Sequence, residues 1–210
     1  MGRYLEAKCR LCRRADMKLF LKGPRCITEK CSYAKRPTPP GMHHNQRKPK
    51  SSYYALQLRE KQKVKQIYGM LERQFARFFR LASKSKGATG RVLIQLLERR
   101  IDNVIFRSLF ALSRNQARQI VRHGFVFIGG KRADIPSYIV REGETIEIKA
   151  KDSIKQGIRD NHEISAKERS SPVWIQVDKD NLSIKIVRLP EKEDLAVSIN
   201  EQLIVELYSK

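Results

Sequence analysis

Four cysteines, Cys9, Cys12, Cys26 and Cys31, are the only ones in a chain of 210 residues, and all lie in its first 31 positions. Their spacing is C-x2-C, then 13 residues, then C-x4-C. Each short spacing lets two sulfurs converge on one ion at tetrahedral geometry, so the segment is expected to fold around a metal rather than around an apolar core. Zinc suits this donor set best. Two disulfides, unrelated buried thiols and an iron–sulfur cluster are the other readings. Four thiolates would close the coordination shell and leave no position for water or substrate, which makes a structural role the expected one. Apparent zinc affinities of about 10–16 kcal/mol in small finger peptides would offset the ordering of a loop too polar to fold alone. Lys8, Arg10, Arg13, Arg14 and Lys30 crowd the cysteines. They would balance a four-thiolate centre and could reach a nucleic acid from a rigid base.

Charge narrows the partner. The formal net charge is +22, carried unevenly: 25 Lys and Arg face 6 Asp and Glu in residues 1–99, and 19 face 16 in residues 100–210. A solvated surface mixes its signs, whereas a face laid along phosphates does not, because each phosphate contact releases a counterion and adds affinity. An anionic membrane is the competing polyanion. No run approaches the roughly 18 apolar residues of a spanning helix, and MGRYLEAKCRLC has no apolar signal core. Glu6 stands where a myristoylation site wants Ser or Thr. A soluble, cytoplasmic nucleic-acid-binding protein is expected, without a membrane partner or a small-molecule substrate.

Past the cysteine segment (1–35), residues 36–52 are rich in Pro and basic side chains and read as an extended linker that orders against a partner. His43 and His44 within it are read as solvated or phosphate-facing rather than as metal ligands. Helical periodicity begins after Ser52. Val64, Ile67, Tyr68, Leu71, Phe75, Phe78, Phe79 and Ala82 recur at three- and four-residue steps, with basic residues on the remaining faces. Gly69 should break this stretch, 83–90 should form a basic turn, and Val92 to Leu109 resume the pattern. Residues 53–98 are therefore read as a helical domain, with a closing helix at 199–209, capped by Asn200, returning to it.

Residues 99–190 read as a second domain of two helices on a small, mostly antiparallel sheet, which makes the whole chain α+β. Ser113 and Gln116 form a capping-box pair opening a helix that Gly124 closes. Arg114, Arg118 and Arg122 fall on one arc of that helix, apart from Ala117, Ile120 and Val121. FVFIGGKR follows, an apolar strand and then Gly129-Gly130, suited to a tight hairpin that presents Lys131 and Arg132. Period-two patterns at TIEIKA, VWIQVD and SIKIV complete the sheet. The arginine row and the hairpin are expected to form one binding surface for A-form RNA, with Arg118 removable at little cost in stability.

CRLCRR, LFLKG, PPG, QLREKQK, the Tyr68-Gly69 pair, LERQF, the run from RIDNV to SRNQARQIVRHG and the ending LIVELYSK resemble the bacterial small-subunit ribosomal protein S-four family in its four-cysteine, zinc-carrying form. Departures from the family pattern occur at Met42-His43-His44, Tyr54-Ala55 and Gly129-Gly130. The resemblance implies a structural ribosomal protein, not an enzyme. It implies direct and early binding to small-subunit ribosomal RNA at a multi-helix junction, with ribosomal protein S-five and the messenger entry channel nearby and a part in assembly and translational accuracy. Together with the charge pattern it marks as RNA-contacting Arg3, Arg10, Arg13, Arg14, Lys22, Arg36, Arg47, Lys48, Lys50, Tyr53, Arg59, Lys61, Lys63, Arg73, Lys84, Lys86, Arg100, Arg107, Arg114, Arg118, Arg122, His123, Lys131 and Arg132. Cys9, Cys12, Cys26 and Cys31 are the metal ligands it implies, for one structural Zn2+. Two alternatives stand beside it. One is a repressor of the protein's own messenger. The other is an RNA-modifying enzyme, since a similar small domain is appended to pseudouridine synthases and Arg100-Ile101-Asp102 is similar to the Arg-Leu-Asp of their active site.

Overall fold

In the computed structural model, which describes residues 4–42, 50–195 and 197–209, the chain divides into two compact units, Met1–Leu93 with Val197–Lys210, and Ile94–Ala196. The cysteine segment of the first unit holds two short helices, α1 (Lys8–Ala15) and α2 (Ser32–Lys35), with a single 3-10 turn at Gly23–Cys26 between them. Ser52 then opens α3 (Tyr53–Ile67), its hydroxyl accepting the Ala55 N–H at 3.3 Å. Such a cap satisfies one of the amides that the first turn of a helix leaves without a partner. The break expected at Gly69 is present, and α4 (Glu72–Ser83) follows it. The basic turn leads to α5 (Thr89–Glu98).

Most of the apolar stripe packs as its spacing requires, but Leu71, expected in it, sits at the N-cap of α4 and is 45% exposed. Val64 and Ile67 of α3, and Phe75, Phe78 and Ala82 of α4, are all buried. Each large side chain of this kind contributes about 1.5–3 kcal/mol when fully buried.

The second unit, which starts within α5, continues with α6 (Ile101–Arg107) and α7 (Arg114–Arg122). Strands β1 (Val126–Ile128), β2 (Lys131–Arg132), β3 (Thr145–Ile148), β4 (Ile175–Asp178) and β5 (Ser183–Ile186) form one sheet in the order β2-β1-β3-β5-β4, every neighbouring pair antiparallel. Ile128 pairs with Lys131, which leaves Gly129 and Gly130 as a two-residue turn with φ of 53° and 80°. Positive φ at both positions matches the twist of the strands, and only glycine adopts it without steric cost. Helices and sheet enclose one core: Ile101, Val104, Ile105, Phe110, Ala117 and Val121 meet Val126, Ile146, Ile148, Ile184 and Ile186, and Trp174 is fully buried among them.

Two expectations need correction. Among the described residues of the 99–190 segment, a third α-helix joins the two expected: α8 (Asp152–Ala166) is fifteen residues long. Its apolar positions are too sparse for a periodic signal. Ile158 is buried and Ile154 packs against the core, whereas Ile164 faces solvent. The last helix, α9 (Glu201–Tyr208), packs on α3, but the Asn200 side chain makes no capping hydrogen bond. Instead its backbone N–H donates to Glu60 Oε1 at 2.8 Å, and fully buried Gln57 donates to Glu206 at 2.9 Å. Tyr208 stacks on Phe79 with ring centroids 4.3 Å apart.

Candidate nucleic-acid interface

The arginine row on α7 does not form one outward face. Ser113 does cap the helix, its Oγ accepting the Gln116 N–H at 3.3 Å, while Gln116 Oε1 reaches back to the Leu112 N–H at 2.7 Å. From this start the three arginines diverge. Arg122 is exposed. Arg114 is half-buried and donates from Nε to Asn103 Oδ1 at 2.9 Å. Arg118 is only 7% exposed, with Nη1 3.7 Å from Asp102 Oδ2. Its guanidinium is turned into the protein, which corrects its assignment to the RNA surface.

Arg100 and Arg107 are likewise held inside the fold. Arg100 is fully buried and forms a two-pronged pair with Asp102, Nε to Oδ1 at 3.0 Å and Nη2 to Oδ2 at 2.6 Å. Arg107 makes the same kind of pair with Glu98, at 3.0 and 2.9 Å, and the Asn103 amide donates to the same carboxylate at 2.8 Å. The resemblance and the charge pattern marked Arg100 and Arg107 as RNA-contacting, but acidic groups on neighbouring turns claim them. Desolvating a charge is tolerable only with such a partner.

Beyond this network the cations do face solvent. At the end of α7, Arg122 and His123 are exposed, as are Lys131 and Arg132 on the hairpin. Arg132 Nη2 donates to the His123 carbonyl at 3.3 Å and ties the two elements together. Its guanidinium lies where a Cβ on Gly124 would stand, and Gly124 has φ of 74°. The helix end and the hairpin are thus joined. On α4, Arg73 is exposed, and Arg77 and Arg80 continue its face, also exposed, opposite buried Phe75 and Phe78. The candidate set from sequence stopped at Arg73, although the i, i+4, i+7 spacing carried the signal. Arg59, Lys84 and Lys86 are exposed as well. Lys61 and Lys63 are half-buried and paired, with Glu72 at 2.8 Å and Glu60 at 2.6 Å. The Tyr53 ring is exposed, its hydroxyl bonded to Glu206.

Arg10, Arg14, Lys22, Arg36 and Lys50 are exposed, and Arg10 pairs with Glu6 at 3.3 Å. Arg13 instead donates to the Thr38 and Pro39 carbonyls at 2.7 and 3.1 Å, pinning the first turn of the Pro-rich segment against α1. Arg3, His43, His44, Arg47 and Lys48 lie outside the described residues. Of the cysteines, Cys12, Cys26 and Cys31 are buried and Cys9 is half-buried. Burial pushes the Cys12 and Cys26 thiols up, while backbone donors, Leu19 to Cys12 and Lys22 to Cys26, pull the other way. Each of these two thiols feels the charge of the other three cysteines or of two of them, so the sulfurs share one neighbourhood. Among the described residues, no three Cys, His, Asp or Glu side chains are drawn together tightly enough to hold an ion as they stand.

One further arginine had no sequence signal. Arg169, just past α8, donates to the Ala111 carbonyl at 2.5 Å and to Ser165 Oγ at 3.1 Å. Its guanidinium carbon sits 3.9 Å from the centroid of the Phe106 ring, and that of Arg114 sits 4.4 Å from the same centroid.

Comparison with known proteins accounts for the whole chain. The ribosomal protein S4/S9 N-terminal domain family matches residues 3–98, and the S4 domain family matches residues 99–146. Proteins named small ribosomal subunit protein uS4 are similar over the full length of both chains: 53% identical in Thermodesulfovibrio yellowstonii, 54% in Caldicellulosiruptor saccharolyticus and 50% in Thermus thermophilus. With two family matches in tandem and half of all residues identical across 210 positions, the chain belongs to the uS4 family of small ribosomal subunit proteins.

Proposed function

We propose that the chain is a structural protein of the small ribosomal subunit, working in the cytoplasm, which binds small-subunit ribosomal RNA directly at a junction of several RNA helices. The observation that carries this reading is the placement of cations. Exposed arginines at i, i+4 and i+7 on α4, and the Arg122–His123–Lys131–Arg132 group joining α7 to its hairpin, are rigidly based side chains facing outward. Rigid cations lose little entropy on meeting phosphate, and a short helix beside a hairpin suits the shallow groove and phosphate rows of A-form RNA. The relatives' name supports the subunit assignment. Early binding during assembly, contact with ribosomal protein S-five, proximity to the messenger entry channel and an influence on accuracy belong to the same proposal.

No catalytic role is proposed. Asp102, the one residue placed like a synthase carboxylate, is 4% exposed and both of its oxygens are held by Arg100. For the cysteine segment we infer one structural Zn2+ held by Cys9, Cys12, Cys26 and Cys31. The ligand spacing, the shared burial and the backbone donors to two sulfurs support it. The ion would order the segment and take no part in chemistry.

Nuclease footprinting on whole small-subunit ribosomal RNA tests the main reading. Protection confined to one multi-helix junction is expected; uniform, weak protection would reduce the protein to a nonspecific polycation.

A further inference from the structure

An open groove of about 540 Å³ is lined by α7, α8 and the start of the hairpin, all within the second unit. Its floor is apolar: Ile120 and Ile158 are buried, and Ile154 packs against the core. The side-chain amides of Gln119 and Asn161 line it too, as do the rings of His123 and Phe125, stacked with centroids 5.8 Å apart and planes 21° from parallel. Among the described residues, neither of these amides has a hydrogen-bond partner, so both keep donors and acceptors for an incoming group.

Gly157 lies inside α8 and lines the same groove. Glycine is a poor helix former, and the ordinary reasons for one are missing here. The backbone is not left-handed, and a Cβ would meet nothing within 4 Å. What a larger side chain would do at this position is fill the groove.

Charge and polarity select the occupant. His123 is tied through its carbonyl to Arg132, and Arg122, Lys131 and Arg132 are exposed, so the groove opens beside a cationic group. An apolar side chain of a protein partner would cover the isoleucines but strip water from two amides without replacing their hydrogen bonds. A nucleobase offers a flat π face to the isoleucines and the ring stack, polar edges to the amides, and a backbone whose phosphates suit the neighbouring cations.

We propose that the groove between α7 and α8 receives one unstacked nucleobase of ribosomal RNA, stacked on His123 and bonded at its edge by Gln119 and Asn161. The slot rests on the RNA-binding reading and deepens it: it adds recognition of a base beside a surface of cations that meets the RNA backbone.

The test uses the full chain and small-subunit ribosomal RNA, for the wild type, Gly157→Leu and Gln119→Ala. Affinity is measured against salt, and the edges of unpaired bases are probed chemically. One unpaired base within the protected junction should be shielded by the wild type and reactive with Gly157→Leu, whose affinity should fall about 5- to 100-fold. The log–log salt slope should stay unchanged, because no phosphate contact is removed. Leu is the better helix former, so the melting temperature should hold or rise. Should Gly157→Leu unfold nevertheless, Gln119→Ala decides, since it alters an exposed side chain, and it must leave the same base reactive. Wild-type affinity and unchanged shielding in folded Gly157→Leu would overturn the slot. A flattened slope would also overturn it, by making the groove a path for phosphates. So would an effect seen only in assembled subunits, which would assign the groove to a side chain of a neighbouring protein. A wild type without any preferred site would overturn the RNA-binding reading and the slot with it, whereas one protected junction indifferent to both variants would overturn the slot alone.

Discussion

The guanidinium of Arg100 grips the carboxylate of Asp102 through two parallel hydrogen bonds, Nε–Oδ1 at 3.0 Å and Nη2–Oδ2 at 2.6 Å, with neither residue more than 4% exposed. Arg118 approaches the same carboxylate, its Nη1 3.7 Å away. One buried acid therefore serves arginines from two places: Arg100, which sits at the N-cap of α6, and Arg118 in the middle of α7. The pair of helices that carries the candidate RNA surface is braced from inside by charge. Asp102→Asn keeps the shape and removes the charge, leaving two buried cations short of compensation. A loss of about 3–5 kcal/mol in urea unfolding is expected; a loss below about 1 kcal/mol would mean that water or another group takes over.

Arg118→Ala separates structure from recognition. Removing a guanidinium that faces inward should lower stability by about 1–3 kcal/mol, because Asp102 loses a partner. Affinity for ribosomal RNA, measured where the variant is fully folded, should stay within about threefold of the wild type. Arg73→Gln, Arg77→Gln and Arg80→Gln together should do the opposite. Three exposed charges are lost, stability should change by no more than about 0.5 kcal/mol per site, and the salt slope should flatten by about two units.

Gly124→Ala probes the joint between α7 and the hairpin. The backbone there has φ of 74°, and the new Cβ would stand 1.9 Å from Arg132 Nη2. The Arg132 tip can swing aside, so the left-handed backbone sets the main cost, about 1–2 kcal/mol. The displaced guanidinium would give up the His123 carbonyl, and a drop in RNA affinity should accompany the drop in stability. Circular dichroism melts and filter binding would show both; stability lost with affinity intact would mean that Arg132 contacts RNA from its new position equally well.

Glu72 gives the first unit an acid limb. Burial would raise its carboxyl, but hydrogen bonds from Lys61, Lys65 and the Tyr208 hydroxyl outweigh that and bring it down to about 2. A carboxylate depressed in the folded state contributes stability that is fully present above its unfolded value near 4.5 and is lost as pH falls toward 2. The stability difference between wild type and Glu72→Gln should thus be constant above about pH 5 and shrink steadily between pH 4.5 and 2. Because the side chain is 47% exposed, the difference should also shrink in high salt. A difference independent of pH would show that packing, not charge, is what Glu72 supplies.

The inferred metal makes a separate demand. Elemental analysis of purified protein should give about one zinc per chain, and a strong chelator should release it. Hydrogen exchange should then rise within residues 8–36 while the 94–196 unit stays protected. Zinc-free protein with an undisturbed first segment would refute the ion, and iron in its place would turn the site into a cluster.

What the sequence determined by itself was whatever depends on near neighbours along the chain. The stripe from Val64 to Ala82, apart from exposed Leu71, the break at Gly69, the Ser113 cap and the Gly129-Gly130 turn all follow from spacing and from backbone steric limits, and each is present. The excess of cations in the first half was equally plain. Helix α8 was not, because its apolar side chains are few and the partners that bury Ile158 lie far off in sequence. Which arginines point outward was also beyond reach. Arg114, Arg118 and Arg122 look alike on a helical wheel, yet Asp102 and Asn103, on the preceding helix, draw two of them inward and leave the third in solvent. The contacts of Arg114 and Arg169 with the Phe106 ring join residues more than fifty positions apart. Side-chain direction is decided by where the nearest opposite charge lies in space, and only the tertiary structure brings those charges together.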